Sequence, residues 1–339
     1  MKAAVLHQFG TPLAIQDMPT PVPAEDEVLV QTMACGIDGT DLKLCDGFGY
    51  TPELPFVMGH EIAGVVSQVG RAVHDFKPGD RVVVYNFLIC GKCAFCLTHR
   101  EQLCANMRGV MGVLHAHGGY AEYVSVPAQQ LIGIPDNVAW EDAAVCCDAV
   151  LTAFHALERS RLRLGETVVI IGIGGVGSVL VQLARLAGAR VLAVDHDARR
   201  AAWAEENGAH VFLDSSAIPA AVRDLTGGMG AACVIDVVGK EATMRAGFDS
   251  LQRGGRMVIV GYTPEQYPVS GKQLAQNELE IIGTRAGRRQ DLTSALHLVQ
   301  TRQLKSIVRY RYGLDQVNEA LDLLRSGAAI GRIVLSYTA

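Results

Sequence analysis

TVVIIGIGGVGSVLVQLARLAGARVLAVD, residues 167–195, is the stretch that decides the fold. Thr167–Ile171 is a short, largely β-branched run of the kind that forms a buried strand. Glycines follow at G-x-G-x-x-G spacing, Gly172, Gly174 and Gly177, and Ser178–Ala187 then reads as a helix. A second apolar strand, Arg190–Asp195, ends in a carboxylate about where a ribose-binding acid belongs. Each part has a physical task. Gly172 permits the tight turn, Gly174 lets the backbone approach a pyrophosphate, and Gly177 lets helix and strand pack closely. Gly175 and Val176 complete a loop at a helix start, where free N–H groups and the dipole favour an anion. Asp195 can accept both hydroxyls of an adenosine ribose and would oppose a 2′-phosphate, so NAD is favoured over NADP. Arg199 and Arg200 lie close enough in sequence to reach such a phosphate.

Downstream, Cys233–Val237 and Arg256–Val260 read as further strands, with a helix expected over Asp197–Asn207. Alternation of this kind, from about Leu151 on, predicts a doubly wound parallel sheet in an α/β fold. Val260 and Gly261 then stand at the end of a strand on the side where such sheets bind ligands. Upstream the pattern is β-rich. Val28–Thr32, Ile62–Val66 and Arg81–Tyr85 are short apolar runs separated by turns such as Lys77-Pro-Gly-Asp80, which suggests a compact barrel or sandwich. The tail from about Arg288 shows two helical stretches and a strand, Arg332–Ser336, expected to pack on the first domain.

The chain's 339 residues suit two domains, and its 49% hydrophobic and 19% charged residues are an ordinary globular mix. A net charge of −5 with no Lys/Arg block argues against nucleic acid. The N-terminal MKAAVLHQFG has no apolar run of a secretory signal, and the most apolar stretch, Thr167–Val181, is broken by four glycines and too short to span a bilayer. A cytoplasmic protein with no membrane contact is expected. Of nine cysteines, four fall at Cys90, Cys93, Cys96 and Cys104. Four thiolates suit a tetrahedral, closed, structural Zn2+, with an iron–sulfur cluster as the rival.

Gly59-His60-Glu61, the four-cysteine lobe, Gly118-Gly-Tyr-Ala-Glu-Tyr123, the glycine loop with Asp195, and Gly331-Arg332 together resemble the zinc-containing medium-chain dehydrogenase/reductase (alcohol dehydrogenase) family. The resemblance covers essentially the whole chain. It implies a GroES-like β-rich catalytic domain over 1–151 and 287–339, with the zinc lobe at about 88–106, and a Rossmann NAD-binding domain over 152–286. It also implies a homodimer or homotetramer acting on a small molecule, an alcohol or its aldehyde or ketone. By resemblance, Thr152 lies beside the nicotinamide, Arg200 near the adenosine ribose, and Arg332 contacts the pyrophosphate.

One motif departs from the family. The catalytic zinc usually takes a Cys from Cys-Gly-(Ser/Thr)-Asp, the His of Gly-His-Glu, and a later Cys or acid. Here the first motif reads Asp38-Gly39-Thr40-Asp41, and alignment on Thr152 puts Asp148 at the later position. In one reading Asp38, His60 and Asp148 hold a second Zn2+ or another divalent ion, with Glu61 nearby; two carboxylates match the charge of two thiolates but make a harder site. In another the metal is lost and Lys43, which replaces the family's usual relay His, neutralises Asp38. A third moves the site to Cys35, Cys146 or Cys147. Thr40 takes the family's relay-hydroxyl position and Lys43 the next step outward. Metal-free reduction of a conjugated C=C bond and non-catalytic NAD binding are the competing functions. His115, His117, Phe48, Tyr50 and Phe87 are candidate cleft residues.

Overall fold

The computed structural model describes residues 1–214 and 217–337. The chain forms two compact units. The first comprises Met1–Asp148, Arg288–Arg302 and the chain from Ser306 on; the second comprises Ala149–Gly287 with Gln303–Lys305.

The first unit is built on the eleven-residue strand Glu27–Ile37. It pairs antiparallel with three others, Glu61–Val69, Tyr123–Pro127 and Arg332–Ser336. Serving several neighbours bends it: the register slips between Leu29 and Val30 and again between Thr32 and Ala34. The sheet runs Leu131–Gly133, Arg81–Val84, Glu61–Val69, Glu27–Ile37, Arg332–Ser336 and Val308–Tyr312. A three-stranded sheet, Ala14–Asp17, Lys2–Leu6 and Phe56–Val57, accompanies it. The strand expected over Val28–Thr32 therefore extends to Ile37, because its second half is bracketed by Glu61–Val69 and Arg332–Ser336. The tail contains a strand that the reading missed. Val308–Tyr312 reads Val-Arg-Tyr-Arg-Tyr with burial alternating along it, a period-2 signal only five residues long and diluted by its exposed arginines.

In the second unit six parallel strands stand in the order Val211–Asp214, Arg190–Asp195, Thr167–Ile171, Ala231–Asp236, Leu251–Ile259, Glu280–Gly283. Chain order reverses at Thr167–Ile171, which makes the crevice beyond its carboxyl end the natural ligand position. Val169, Ile171, Leu192, Val194, Val234 and Met257 from the sheet pack with Phe248 in its core. Helix Gly175–Leu186 starts inside the glycine motif rather than at Ser178, because that loop supplies its first turn. The helix expected over Asp197–Asn207 is a 3-10 turn, Ala198–Arg200, followed by helix Ala201–Glu206. Lys305 is held here by Gln182: its N–H donates to Gln182 Oε1 at 2.8 Å, and Gln182 Nε2 donates to Asn207 Oδ1 at 2.7 Å. No helix among the described residues is long and apolar enough to cross a membrane.

Candidate functional site

The first unit brings Asp38, His60, Glu61 and Arg332 together through strand pairing. Asp38 lies just beyond Ile37, His60 just before Glu61, and Arg332 begins its strand. Antiparallel registers Gly36↔Glu61 and Ile37↔Ile333 put these three strand ends side by side. Gly36 is what lets Glu61 lie there: a Cβ on Gly36 would overlap the Glu61 carboxylate. Asp148 comes from the π-helical turn Cys146–Val150, a helix irregularity of a kind frequent at functional sites.

One ligand atom each from Asp38, His60 and Asp148 lies within 4.8 Å of the other two. His60 Nε2 is 3.6 Å from Asp38 Oδ1 and 4.0 Å from Asp148 Oδ2. Ligands about 2.1 Å from a tetrahedral ion stand about 3.4 Å apart. The trio thus surrounds one cation position, slightly splayed. The other ring nitrogen, His60 Nδ1, faces Asp41 Oδ1 at 3.4 Å, the outer carboxylate that orients many metal-binding histidines. Asp38 has a second task. Its Oδ1 accepts the Thr40 N–H at 2.7 Å and Asp41 Oδ2 accepts the Asp38 N–H at 2.9 Å, a capping box on helix Gly39–Cys45. The reading missed Asp41, although Asp-x-x-Asp before an apolar run resembles a cap.

The electrostatics call for a cation. Burial alone would raise the Asp38 pKa, but His60 and Arg332 override it and hold the carboxyl well below the usual range. Burial opposes charge on His60, yet Asp38 and Asp41 prevail and its pKa is raised. Burial pushes Glu61 up to about 7 against the pull of Arg332, with Asp148 and Asp38 adding to the rise. Without a metal, a proton on His60 supplies the positive charge that these oxygens demand. The donor set therefore fits a divalent ion.

Two expectations change. The cations acting most strongly on Asp38 are His60 and Arg332, not Lys43, which sits in the last turn of its helix. No cysteine joins the trio among the described residues. Cys35, Cys146 and Cys147 are fully buried, and burial raises all three thiols. They are packing residues. Arg332, expected at the pyrophosphate, is buried with Nη2 on Glu61, while its Nε has no hydrogen-bond partner among the described residues. Thr40 and Lys43 are half-buried, three residues apart on one helix and so neighbours on its surface. His117 Nδ1 accepts the Val57 N–H at 3.2 Å, a structural bond, and His115 is exposed. Phe48 is exposed, Tyr50 half-buried and Phe87 buried.

In the cysteine lobe, Cys90, Cys93, Cys96 and Cys104 converge. Cys93 Sγ is 3.6 Å from Cys96 Sγ and 3.9 Å from Cys104 Sγ. Zn–S bonds of about 2.3 Å put tetrahedral sulfurs about 3.8 Å apart. That spacing fits one ion and is too tight for ligands spread over several irons, which removes the iron–sulfur rival.

The second unit holds the nucleotide loop. Gly172 has φ of +93°, a conformation that favours glycine. A Cβ on Gly177 would overlap the Gly172 carbonyl oxygen, whereas one on Gly174 meets nothing within 4 Å. Among the described residues nothing requires glycine at 174; the open space beside it suits a pyrophosphate. Helix Gly175–Leu186 has no side-chain cap, so the first-turn N–H groups, including those of Gly175 and Val176, have none to bond. Asp195 Oδ2 accepts the Ile173 N–H at 2.7 Å, which ties the carboxylate to the loop. Arg200 Nη1 donates to the Ile173 carbonyl at 3.0 Å. Val260 and Gly261 both direct N–H groups to the Asp236 carbonyl at the carboxyl end of the sheet. Thr152 is buried in helix Leu151–Ser160.

Residues 24–136 match the alcohol dehydrogenase GroES-like domain family, and residues 175–301 match the zinc-binding dehydrogenase family. An alcohol dehydrogenase of Geobacillus stearothermophilus is 36% identical over 339 residues, covering 99% of each chain. An NAD-dependent alcohol dehydrogenase of Sulfolobus acidocaldarius is 34% identical over 347 residues, covering 100% of each. The structure of a cobalt- and zinc-bound thermostable alcohol dehydrogenase from Pyrobaculum aerophilum superposes with a TM-score of 0.91 at 31% identity, covering 99% of each chain.

Proposed function

Because the chain belongs to the zinc-containing medium-chain dehydrogenase/reductase family and is an NAD-dependent alcohol dehydrogenase, we propose that it interconverts a small alcohol and its carbonyl compound at a divalent metal held by Asp38, His60 and Asp148. The convergence of these three donors around one cation position carries the proposal. Bound there, the metal would offer an open position that polarises a carbonyl or lowers the pKa of an alcohol. NAD supplies the hydride acceptor.

The chain's own residues do the rest. Asp41 faces His60 Nδ1 from 3.4 Å, and its charge favours the ring orientation in which Nε2 points at the metal position. Glu61, anchored by Arg332, keeps a further carboxylate beside the site. The Thr40 hydroxyl takes the proton released from the substrate and passes it outward, with Lys43 one turn further along the same helix. Gly172, Gly174, Gly175, Val176 and Gly177 receive the pyrophosphate, and Asp195 takes the ribose hydroxyls. Two carboxylates in the ligand set make the position harder than one with two thiolates, and so more open to Mn2+ or Fe2+ beside Zn2+. The cysteine lobe holds the structural zinc.

One observation favours a second reading. His60 and Arg332 already balance much of the carboxylate charge, so a metal-free pocket reducing a conjugated C=C bond is electrostatically self-consistent. Elemental mass spectrometry on protein purified without added metal separates the two. About two metal ions per chain, with alcohol turnover lost on chelation and regained on readdition, supports the proposal. One zinc per chain, with turnover indifferent to added metal, overturns it.

A further inference from the structure

The end of the Arg190–Asp195 strand gives mixed instructions about the nucleotide. Asp195 and Asp197 oppose a 2′-phosphate, while Arg199 and Arg200 would welcome one. The geometry shows which side prevails. Asp197 grips Arg199 side-on: Arg199 Nε lies 2.8 Å from Asp197 Oδ1 and 3.1 Å from Oδ2, and Nη2 lies 2.8 Å from Oδ2. The same carboxylate accepts the Arg199 N–H at 3.0 Å, capping the 3-10 turn Ala198–Arg200. Among the described residues, every hydrogen bond and ion pair of the Arg199 side chain goes to Asp197, although that side chain is 62% exposed and otherwise able to swing. Arg200 is drawn in too, with Nη1 on the Ile173 carbonyl and Nε 3.7 Å from Asp195 Oδ2 and 3.8 Å from Asp197 Oδ2.

Asp195 alone is a weaker gatekeeper than its position suggests. Its Oδ2 accepts the Ile173 N–H at 2.7 Å and its Oδ1 the Asp197 N–H at 3.0 Å. These bonds fix the carboxylate, and a guanidinium released beside it would offset its charge.

We propose that Asp197 is a cofactor-specificity residue: by clamping Arg199 it denies the adenosine-ribose position a free guanidinium, so the site takes a 2′-hydroxyl and rejects a 2′-phosphate. The proposal rests on the reading of the glycine loop and Asp195 as a nucleotide site. Hydrogen bonds from Arg199 hold the Asp197 carboxyl at about 2, so the clamp stays charged across the neutral range.

The test uses 5′-AMP and 2′,5′-ADP, two probes that differ only in the 2′-phosphate and need neither metal nor turnover. Asp197→Asn keeps an oxygen to cap the turn but loses the charge and the two-oxygen grip. By calorimetric titration it gains about tenfold in affinity for 2′,5′-ADP. Its affinity for 5′-AMP stays within about twofold, as expected on loss of an exposed ion pair. Adding Arg199→Ala to this variant removes the gain. Arg199→Ala alone brings no gain in 2′,5′-ADP binding, because it frees no guanidinium and leaves Asp197 unneutralised. An unchanged ratio in Asp197→Asn overturns the proposal. So does a gain that survives Arg199→Ala, since the cause would then be lost repulsion, and so does tighter 2′,5′-ADP binding by Arg199→Ala alone. Should the folded wild-type protein bind neither probe, the nucleotide reading itself falls and the clamp with it.

Discussion

Replacing Asp38 with asparagine separates two tasks that one carboxylate performs. Asp38 Oδ1 caps helix Gly39–Cys45 through the Thr40 N–H, and it stands 3.6 Å from His60 Nε2 at the cation position. An asparagine oxygen can still cap the helix, but the neutral amide is a poor ligand. Loss of a mere outer partner of a metal ligand weakens binding by about 10–100-fold. Loss of one of three direct donors therefore costs at least about 100-fold, or about 2.7 kcal/mol. Alanine removes both tasks, and the missing cap adds about 1 kcal/mol to the loss of fold stability. Two results follow, read by metal analysis with competitive chelator titration and by calorimetry of the metal-stripped proteins. Asp38→Asn and Asp38→Ala lose the second metal equally. Asp38→Ala melts lower than Asp38→Asn by about 2–4 °C. Retention of two ions per chain at wild-type affinity in Asp38→Asn refutes ligation by Asp38, and equal melting temperatures refute the cap.

Cys93→Ser should lower zinc content by one ion per chain and depress the melting temperature, with the affinity for 5′-AMP unchanged; full zinc occupancy would contradict the tetrathiolate assignment. Gly177→Ala forces a methyl against the Gly172 carbonyl, so a cost of about 1–3 kcal/mol and a sharp loss of NAD binding are expected by thermal melting and fluorescence titration. Thr40→Ala should reduce kcat by about 100-fold while the Kd for NAD holds, and an unchanged kcat would end its proton-transfer role. The pH dependence has a defined sign. Folding raises the pKa of His60 and lifts Glu61 from 4.5 to about 7. Their protonated forms therefore stabilise the metal-free fold at low pH, and that contribution is lost as pH rises, for Glu61 between 4.5 and about 7. Metal must displace the His60 proton, so its affinity grows about tenfold per pH unit below the folded His60 pKa. The melting-temperature gap between metal-loaded and stripped protein should widen from pH 5 to pH 8; a gap that narrows contradicts the scheme.

The parallel sheet was the most legible part of the sequence. Thr167–Ile171 and Arg190–Asp195 are buried on both faces, so they appear as unbroken apolar runs ending at glycine or acid, and their observed bounds match the expected ones. Val308–Tyr312 was harder to see, because its alternation of Val and Tyr with exposed arginines runs for only five residues and offers tyrosine rather than aliphatic side chains to the inner face. The cysteine lobe could be read from spacing alone, since four thiols at short intervals have few other uses. The Asp38, His60 and Asp148 trio needed the family resemblance, as the three are scattered in sequence and meet only through strand register and a π-turn. Asp41 and Asp197 escaped notice for a common reason: each acts through a neighbour, and a single sequence shows residue types without the bonds between them.

The seating of Arg332–Ser336 between Glu27–Ile37 and Val308–Tyr312 has a bearing on biosynthesis. Synthesis runs from the amino end, so Ala149–Gly287 emerges with all six of its parallel strands before Arg332–Ser336 is made. The nucleotide unit can therefore form first, while the older amino-terminal segment waits with the Ala34–Ile37 part of one edge of its strand Glu27–Ile37 open. That bare edge is an aggregation hazard for as long as translation of the tail takes. The same late strand brings Arg332 to Glu61, so Asp38 and Glu61 are synthesised well before the guanidinium that offsets their charge.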